Sequence, residues 1–164
     1  MTAEASTHRN PQTSHGADNV ALLIDLLKLA TFIAGPMREG VAEPLELSST
    51  DLRVILALGG EGELAGHDLS EIMGVPPMNV SRALASLLER GLVEPGSDPA
   101  NRRRKPFRLS AEGQAMFAGT LPAMAKVGGA LFADLGKGER AAFSRAMQAV
   151  LTRIPGWMDR HRPS

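Results

Sequence analysis

The stretch from Pro76 to Ser110, PPMNVSRALASLLERGLVEPGSDPANRRRKPFRLS, leaves this chain few folds to choose from. From Pro77 the apolar residues Val80, Leu84, Leu87 and Leu88 recur at i, i+4, i+7 and i+8, one face of an amphipathic helix. The opposite face, Met78, Asn79, Ser81, Arg82, Ala85, Ser86 and Glu89, is small or polar and holds one long cation. Gly91 follows the last turn, where a left-handed residue ends a helix. Leu92-Val93-Glu94 starts a strand, Pro95-Gly96 breaks it, and Lys105 to Leu109 resumes it with Phe107 and Leu109 on one side. Between the strands lies Asn101-Arg102-Arg103-Arg104-Lys105. A helix with a slim polar face, followed by a hairpin with a cationic tip, is the outline of a winged DNA reader.

The segments before it fit that outline. Ser48-Ser49-Thr50-Asp51 is a helix start, with serine as cap and a carboxylate in the first turn. Leu52, Ile55, Leu56 and Leu58 give that helix its apolar face, and Gly59-Gly60 ends it. A short helix is expected over Gly66 to Met73, then Gly74-Val75 as a turn, then Pro77 in the first turn of the next helix, where its missing N–H costs nothing. The order is helix, short helix, tight turn, helix, hairpin: a helix-turn-helix with a wing.

The ends of the chain read differently. Residues 1–17 are polar and interrupted by Pro11 and Gly16, which predicts a flexible tail. Asp18 or Asn19 caps a helix through VALLIDLLKLATFIAG, where Asp25 and Lys28 are the only charges. A helix with so little polar face needs cover on several sides, and a small domain hardly supplies it alone, so a partner chain is expected. After the hairpin, Ser110-Ala111-Glu112 caps a helix that Pro122 and Gly128-Gly129 should bend, and Gly136-Lys137-Gly138 breaks it. A last helix carries Phe143, Met147, Val150 and Ile154 on one stripe, and Pro155-Gly156 should close it. The expected fold class is mainly α (α+β): residues 46–110 a winged helix-turn-helix, residues 18–45 and 111–158 a helical dimerisation layer, and 159–164 a second tail.

Charge placement supports a polyanionic partner although the net charge is zero. Residues 19–75 carry 3 basic and 9 acidic side chains, whereas residues 76–110 carry 7 and 3, so the positive charge gathers on the hairpin. With no cysteine, disulfides, thiolate zinc sites and thiol redox switching are excluded. The four histidines are scattered, so neither a metal nor another cofactor is expected. No glycine-rich phosphate loop, no nucleophile with a base and no paired carboxylates form a recognisable motif, which argues against an enzyme. Neither a signal peptide nor a long uncharged apolar run is evident, which points to the cytoplasm and away from a membrane.

The run from Leu52 to Ser110 resembles the MarR family of bacterial transcriptional regulators. DPANRRRKPFRLSAEG (98–113) is similar to that family's wing pattern, Asp-Pro-x-Asp-x-Arg, a strand ending Leu-Thr, then x-x-Gly. GVPPMNVSRALASLLERGLVEP resembles its recognition helix and first wing strand, and LRVILAL its second helix. The resemblance implies a homodimer on a pseudo-palindromic operator in double-stranded DNA, with recognition helices in successive major grooves and wings in the flanking minor grooves. It implies that Ser81 holds a phosphate, that Arg82 reads a base edge or a phosphate, and that Arg103 enters the minor groove. Met78, Asn79, Ser86, Arg102 and Arg104 complete the candidate DNA contacts. Three consecutive arginines cannot all face one way, so one or two should meet phosphates. Asn101 stands where the family has an aspartate that orients the arginine, and Ala65 where a capping threonine opens the third helix. The family's regulators are commonly repressors released by a small aromatic or acidic effector. Phe32, Arg53, Met116 and Phe117 are the candidate contacts for one. The alternative is a winged-helix protein–protein module whose basic hairpin meets an acidic partner.

Overall fold

The computed structural model describes residues 11–99, 101 and 104–161, the side chains of residues 11–15 excepted. Two compact units are present, residues 1–124 and 125–164.

The first unit begins with α1 (Pro11–Phe32), which starts seven residues earlier than the composition of the expected tail suggested. The chain stays coiled beyond it through α2 (Ala34–Met37), a π-turn at Arg38–Ala42 and a 3₁₀ turn at Glu43–Leu45. The π-turn sets Val41 and Ala42 into the core, both fully buried. Glu46 then takes a left-handed conformation (φ 54°), its carbonyl accepting from Arg90 Nη1 at 2.8 Å.

Helix α3 (Ser49–Glu61) opens on the expected cap. Ser48 Oγ accepts from Asp51 N at 3.0 Å, and Asp51 Oδ2 accepts from Ser48 N at 3.2 Å, a reciprocal capping box. A two-residue strand, β1 (Leu64–Ala65), precedes α4 (Gly66–Met73). Gly74, left-handed at φ 59°, turns the chain into α5 (Pro77–Glu89), and Ser70 Oγ ties the turn by donating to Val75 O at 2.6 Å. Gly91 (φ 68°) leads into β2 (Val93–Pro95), and β3 (Pro106–Leu109) returns. The sheet is antiparallel in the order β1-β3-β2, with Leu64 opposite Phe107 and Val93 opposite Leu109.

Ile55, Leu69, Leu87, Val54 and Val80 are the largest apolar groups with essentially no exposure, so the core lies where α3, α4 and α5 meet. Val80, Leu84 and Leu87 are buried as their spacing predicts, but Leu88 is 39% exposed, because Ala83 and not Leu88 completes the inward face.

Helix α6 (Ala111–Leu131) is capped by Ser110 Oγ, which accepts from Gly113 N at 3.0 Å. Pro122 lies inside it without ending it, and so do Gly128 and Gly129. In the second unit Gly136 N donates to Glu139 Oε2 at 2.7 Å at the start of α7 (Lys137–His161). Arg140 closes the preceding turn by donating to the Phe132 and Leu135 carbonyls, and the Phe132 and Phe143 rings lie 6.3 Å apart. Helix α7 runs through Pro155-Gly156, where the sequence suggested its end. Beyond the proline, Trp157 stacks on His161 at 4.3 Å and His161 Nδ1 lies 2.8 Å from the Trp157 carbonyl, contacts that hold the last turn in helical form.

Candidate nucleic-acid interface

Helix α5 presents the polar face its sequence describes. Met78, Asn79, Ser81 and Arg82 are exposed and Ser86 is half-buried, while Val80, Ala83, Leu84 and Leu87 hold the helix to the core from behind. Arg82 Nη2 lies 3.6 Å from Met78 Sδ, one turn away, so the guanidinium rests along the helix surface. Beside this face the start of α3 contributes Ser48, Thr50 and Asp51, which with Asn79, Arg82, Ala83 and Ser86 line an open groove of about 320 Å³. The Asp51 carboxylate is buried and committed to the Ser48 N–H, so the exposed polar groups of the groove are hydroxyl and amide donors with one cation, a set that suits a phosphodiester oxygen. The α3 contribution was not legible in the sequence because it depends on two helices with another helix between them in the chain meeting at one edge.

The wing is fastened at its base by ion pairs. Arg104 Nη2 contacts Asp68 Oδ2 at 2.5 Å and Arg104 Nη1 contacts Asp98 Oδ2 at 3.2 Å. Asp68 also accepts from Ala65 N at 2.8 Å, serving the start of α4 where Ala65 has no side chain to cap with, and its Oδ1 lies 2.9 Å from His67 Nε2. The Arg104 guanidinium beside Asp68 holds its carboxyl below the usual carboxylate range, against the opposing effect of burial. Further along, Glu63 accepts from Ser97 N at 3.2 Å and lies 3.6 Å from Arg108, which also pairs with Glu94 at 2.7 Å across the hairpin. Asn101 N donates to Asp98 Oδ1 at 3.0 Å, so Asp98 orders the turn that leads to the tip.

Arg104, an expected DNA contact, is thus occupied by two carboxylates. Arg102 and Arg103, the other two, lie outside the described residues. The four expected effector contacts lie on three helices, Phe32 on α1, Arg53 on α3, and Met116 and Phe117 on α6. Arg53 Nη2 donates to the Met73 carbonyl at the end of α4. Phe117 lies on the α3 backbone, where a β-carbon at Gly59 would meet its Cγ at 2.7 Å. Met116 is half-buried on α6, and Phe32 is 73% exposed on α1.

Most of the apolar surface of α1 is open: Leu22, Leu23 and Leu27 are each more than half exposed. The stretch Gly16–Leu45 is long and apolar enough to cross a membrane by length and composition, which departs from the absence of such a run expected from sequence. On α7, Val150, Leu151, Ile154, Trp157 and Met158 form a second open apolar stripe.

Residues 45–104 match the model of the MarR family. Among curated proteins no sequence matches the chain. The fold is that of solved regulators. A MarR-family transcriptional regulator from Silicibacter pomeroyi is 24% identical, with a TM-score of 0.68 over 79% of this chain and 86% of that one. The PcaV transcriptional regulator from Streptomyces coelicolor, solved with its natural ligand, is 23% identical at a TM-score of 0.60, over 92% and 98%. BpsR from Bordetella bronchiseptica, whose DNA binding is regulated by 6-hydroxynicotinic acid, is 20% identical at 0.66, over 80% and 98%. The likeness read from the wing and recognition-helix motifs therefore holds both in sequence and in fold.

Proposed function

We propose that this chain, whose residues 45–104 match the MarR family, is a cytoplasmic, sequence-specific DNA-binding transcriptional regulator. In this reading it acts as a homodimeric repressor that a small aromatic or acidic molecule releases. The observation that carries the DNA-binding part is the outward face of α5. It is exposed, slim enough to enter a major groove, flanked by the groove that it forms with the start of α3, and followed in the chain by the basic hairpin. Ser81 would hold a phosphate and Arg82 a base edge or phosphate. Arg103 would enter the minor groove, with Met78, Asn79, Ser86 and Arg102 around them.

Dimerisation is supported by the open apolar faces of α1 and α7, which water leaves uncovered at a cost of roughly 25 cal/mol per Å². A second copy suits α1 better than lipid does. Its continuation into Val41 and Ala42 is buried in the winged lobe, and an Asp25–Lys28 ion pair (3.7 Å) sits in mid-helix. Effector response is supported by the natural ligand bound in the PcaV structure and by the regulation of BpsR by 6-hydroxynicotinic acid. Of its candidate contacts, Met116 and Phe117 are half-buried on α6 and Phe117 lies against Gly59 of α3, whereas Arg53 donates to the Met73 carbonyl at the end of α4.

Selection of duplexes from a random pool tests the reading: two-fold symmetric sites with half-sites about one helical turn apart are expected. On such a site Arg82→Ala and Arg103→Ala should each weaken binding by roughly 1–3 kcal/mol in gel shifts. Unchanged affinity for both variants removes the assignment.

A further inference from the structure

We infer that Arg104 is a positioning residue, a strap that ties the wing to the start of α4 through Asp68 and Asp98 and so sets where the basic tip is presented to DNA. The inference rests on the DNA-binding reading above but assigns Arg104 a part other than contact.

Geometry carries it. Each terminal nitrogen of the guanidinium faces a different carboxylate, Asp68 at 2.5 Å and Asp98 at 3.2 Å, so the group is held from two sides and turned toward the hairpin base. The two carboxylates belong to different segments. Asp68 is in the first turn of α4, where it also receives the Ala65 N–H, and Asp98 is in the loop after β2, where it also receives the Asn101 N–H. One side chain therefore joins the first helix of the helix-turn-helix to the turn from which the tip springs. The cluster is sheltered: the side chains of Arg104, Asp68 and Asp98 are 31%, 22% and 17% exposed, against 54% and 44% for the outer Arg108–Glu94 pair. Solvent screening weakens it correspondingly less. Glu63 supplies a second mooring through Ser97 N, so the hairpin base is held at two points and cannot pivot about either. This arrangement also answers the departure at Asn101. Asp98, three residues before Asn101, brings a carboxylate to the same turn and pairs it with Arg104.

Two measurements on the full-length protein test this. In the free protein, hydrogen–deuterium exchange of the Asn101 and Arg104 amides, which bond within the turn, should quicken in Arg104→Ala and in Asp68→Asn. The amides of α5 should be unaffected, and Arg104→Lys, which keeps one of the two pairings, should fall between. On a duplex that the wild type selects, Arg104→Ala should raise Kd on the order of tenfold at every salt concentration. The slope of log Kd against log salt should stay as it is, because no phosphate neutralisation is lost. Adding Asp68→Asn to Arg104→Ala should cost nothing further. A slope flattened by about one, the mark of a lost phosphate contact, overturns the inference, as does exchange that stays unchanged in both variants. A wild type that binds no duplex removes the DNA reading, while the exchange measurement still decides whether the strap exists.

Discussion

Gly113→Ala is the substitution for which local propensity and tertiary structure give opposite signs. Gly113 sits in the first turn of α6, where alanine is worth about 1 kcal/mol more than glycine in a helix. A β-carbon there, however, would collide with the Leu92 carbonyl oxygen and lie 2.9 Å from the carbon bearing it and 3.2 Å from Leu109 Cβ. None of these is the far end of a side chain that can swing away. The first turn of α6 must retreat, and two bonds cross that junction: Ser110 N to Leu92 O (3.1 Å) and Ser110 Oγ to Gly91 O (2.6 Å). Overpacking costs about 1–3 kcal/mol and each weakened bond about 1, so the propensity gain is outweighed and a net loss of about 2–4 kcal/mol is expected. Urea unfolding followed by circular dichroism, at one fixed protein concentration, should show a lower midpoint at an unchanged slope. Gly60→Ala in α3 is the control. Nothing lies within 4 Å of its β-carbon, so it should be neutral or gain up to about 1 kcal/mol. If Gly113→Ala matches or exceeds the wild type while Gly60→Ala behaves as stated, the steric reasoning is refuted.

Ser48→Ala should cost about 1 kcal/mol by opening the capping box of α3, read as a shift in urea midpoint; no shift would mean that Asp51 alone serves this end. Leu27→Glu, on the open face of α1, should convert a dimer into a monomer in sedimentation velocity, and an unchanged oligomer would show that this face does not carry the association. Asp68 gives a pH signature. Because Arg104 lowers its pKa in the fold, the unfolded chain binds the proton at a higher pH, and stability rises with pH through that window. The contribution is complete above about pH 4 and is lost as pH falls through the lower folded value. Asp68→Asn should flatten the decline of melting temperature below about pH 4, and a decline as steep as that of the wild type refutes the assignment.

The parts of the lobe that were readable from residues alone are those built by neighbours in sequence. Ser48 caps α3, the Val80, Leu84 and Leu87 spacing sets α5, and Gly74 and Gly91 make their turns because each needs only a few adjacent residues. What escaped depends on distant chain. Strand β1 has two residues and exists because Phe107 and Pro106 pair with it, and Asp68 meets Arg104 across 36 positions. Helix ends signalled by proline and glycine failed where the helix had other support. Gly59-Gly60 and Pro155-Gly156 were expected to end their helices, but α3 runs on to Glu61 and α7 to His161. Of the candidate DNA face, the periodicity of α5 sufficed to find Met78, Asn79, Ser81, Arg82 and Ser86. Nothing local distinguishes Arg104 from its two neighbours, since its role comes from carboxylates elsewhere in the chain.

The pairing of Leu64 with Phe107 joins β1 to the inner strand of the hairpin and closes a ring of chain that contains both α4 and α5. Helices inside the ring are tethered at both ends, whereas the connection from Pro95 to Pro106 is a smaller loop of the same ring, pendant from its own closure by the pairing of Pro95 with Phe107. Lengthening a pendant raises closure entropy only logarithmically, about 0.6 kcal/mol per doubling. The reach of the finger can therefore drift between descendants of this sequence at little energetic penalty, while the register of the reading helix stays locked.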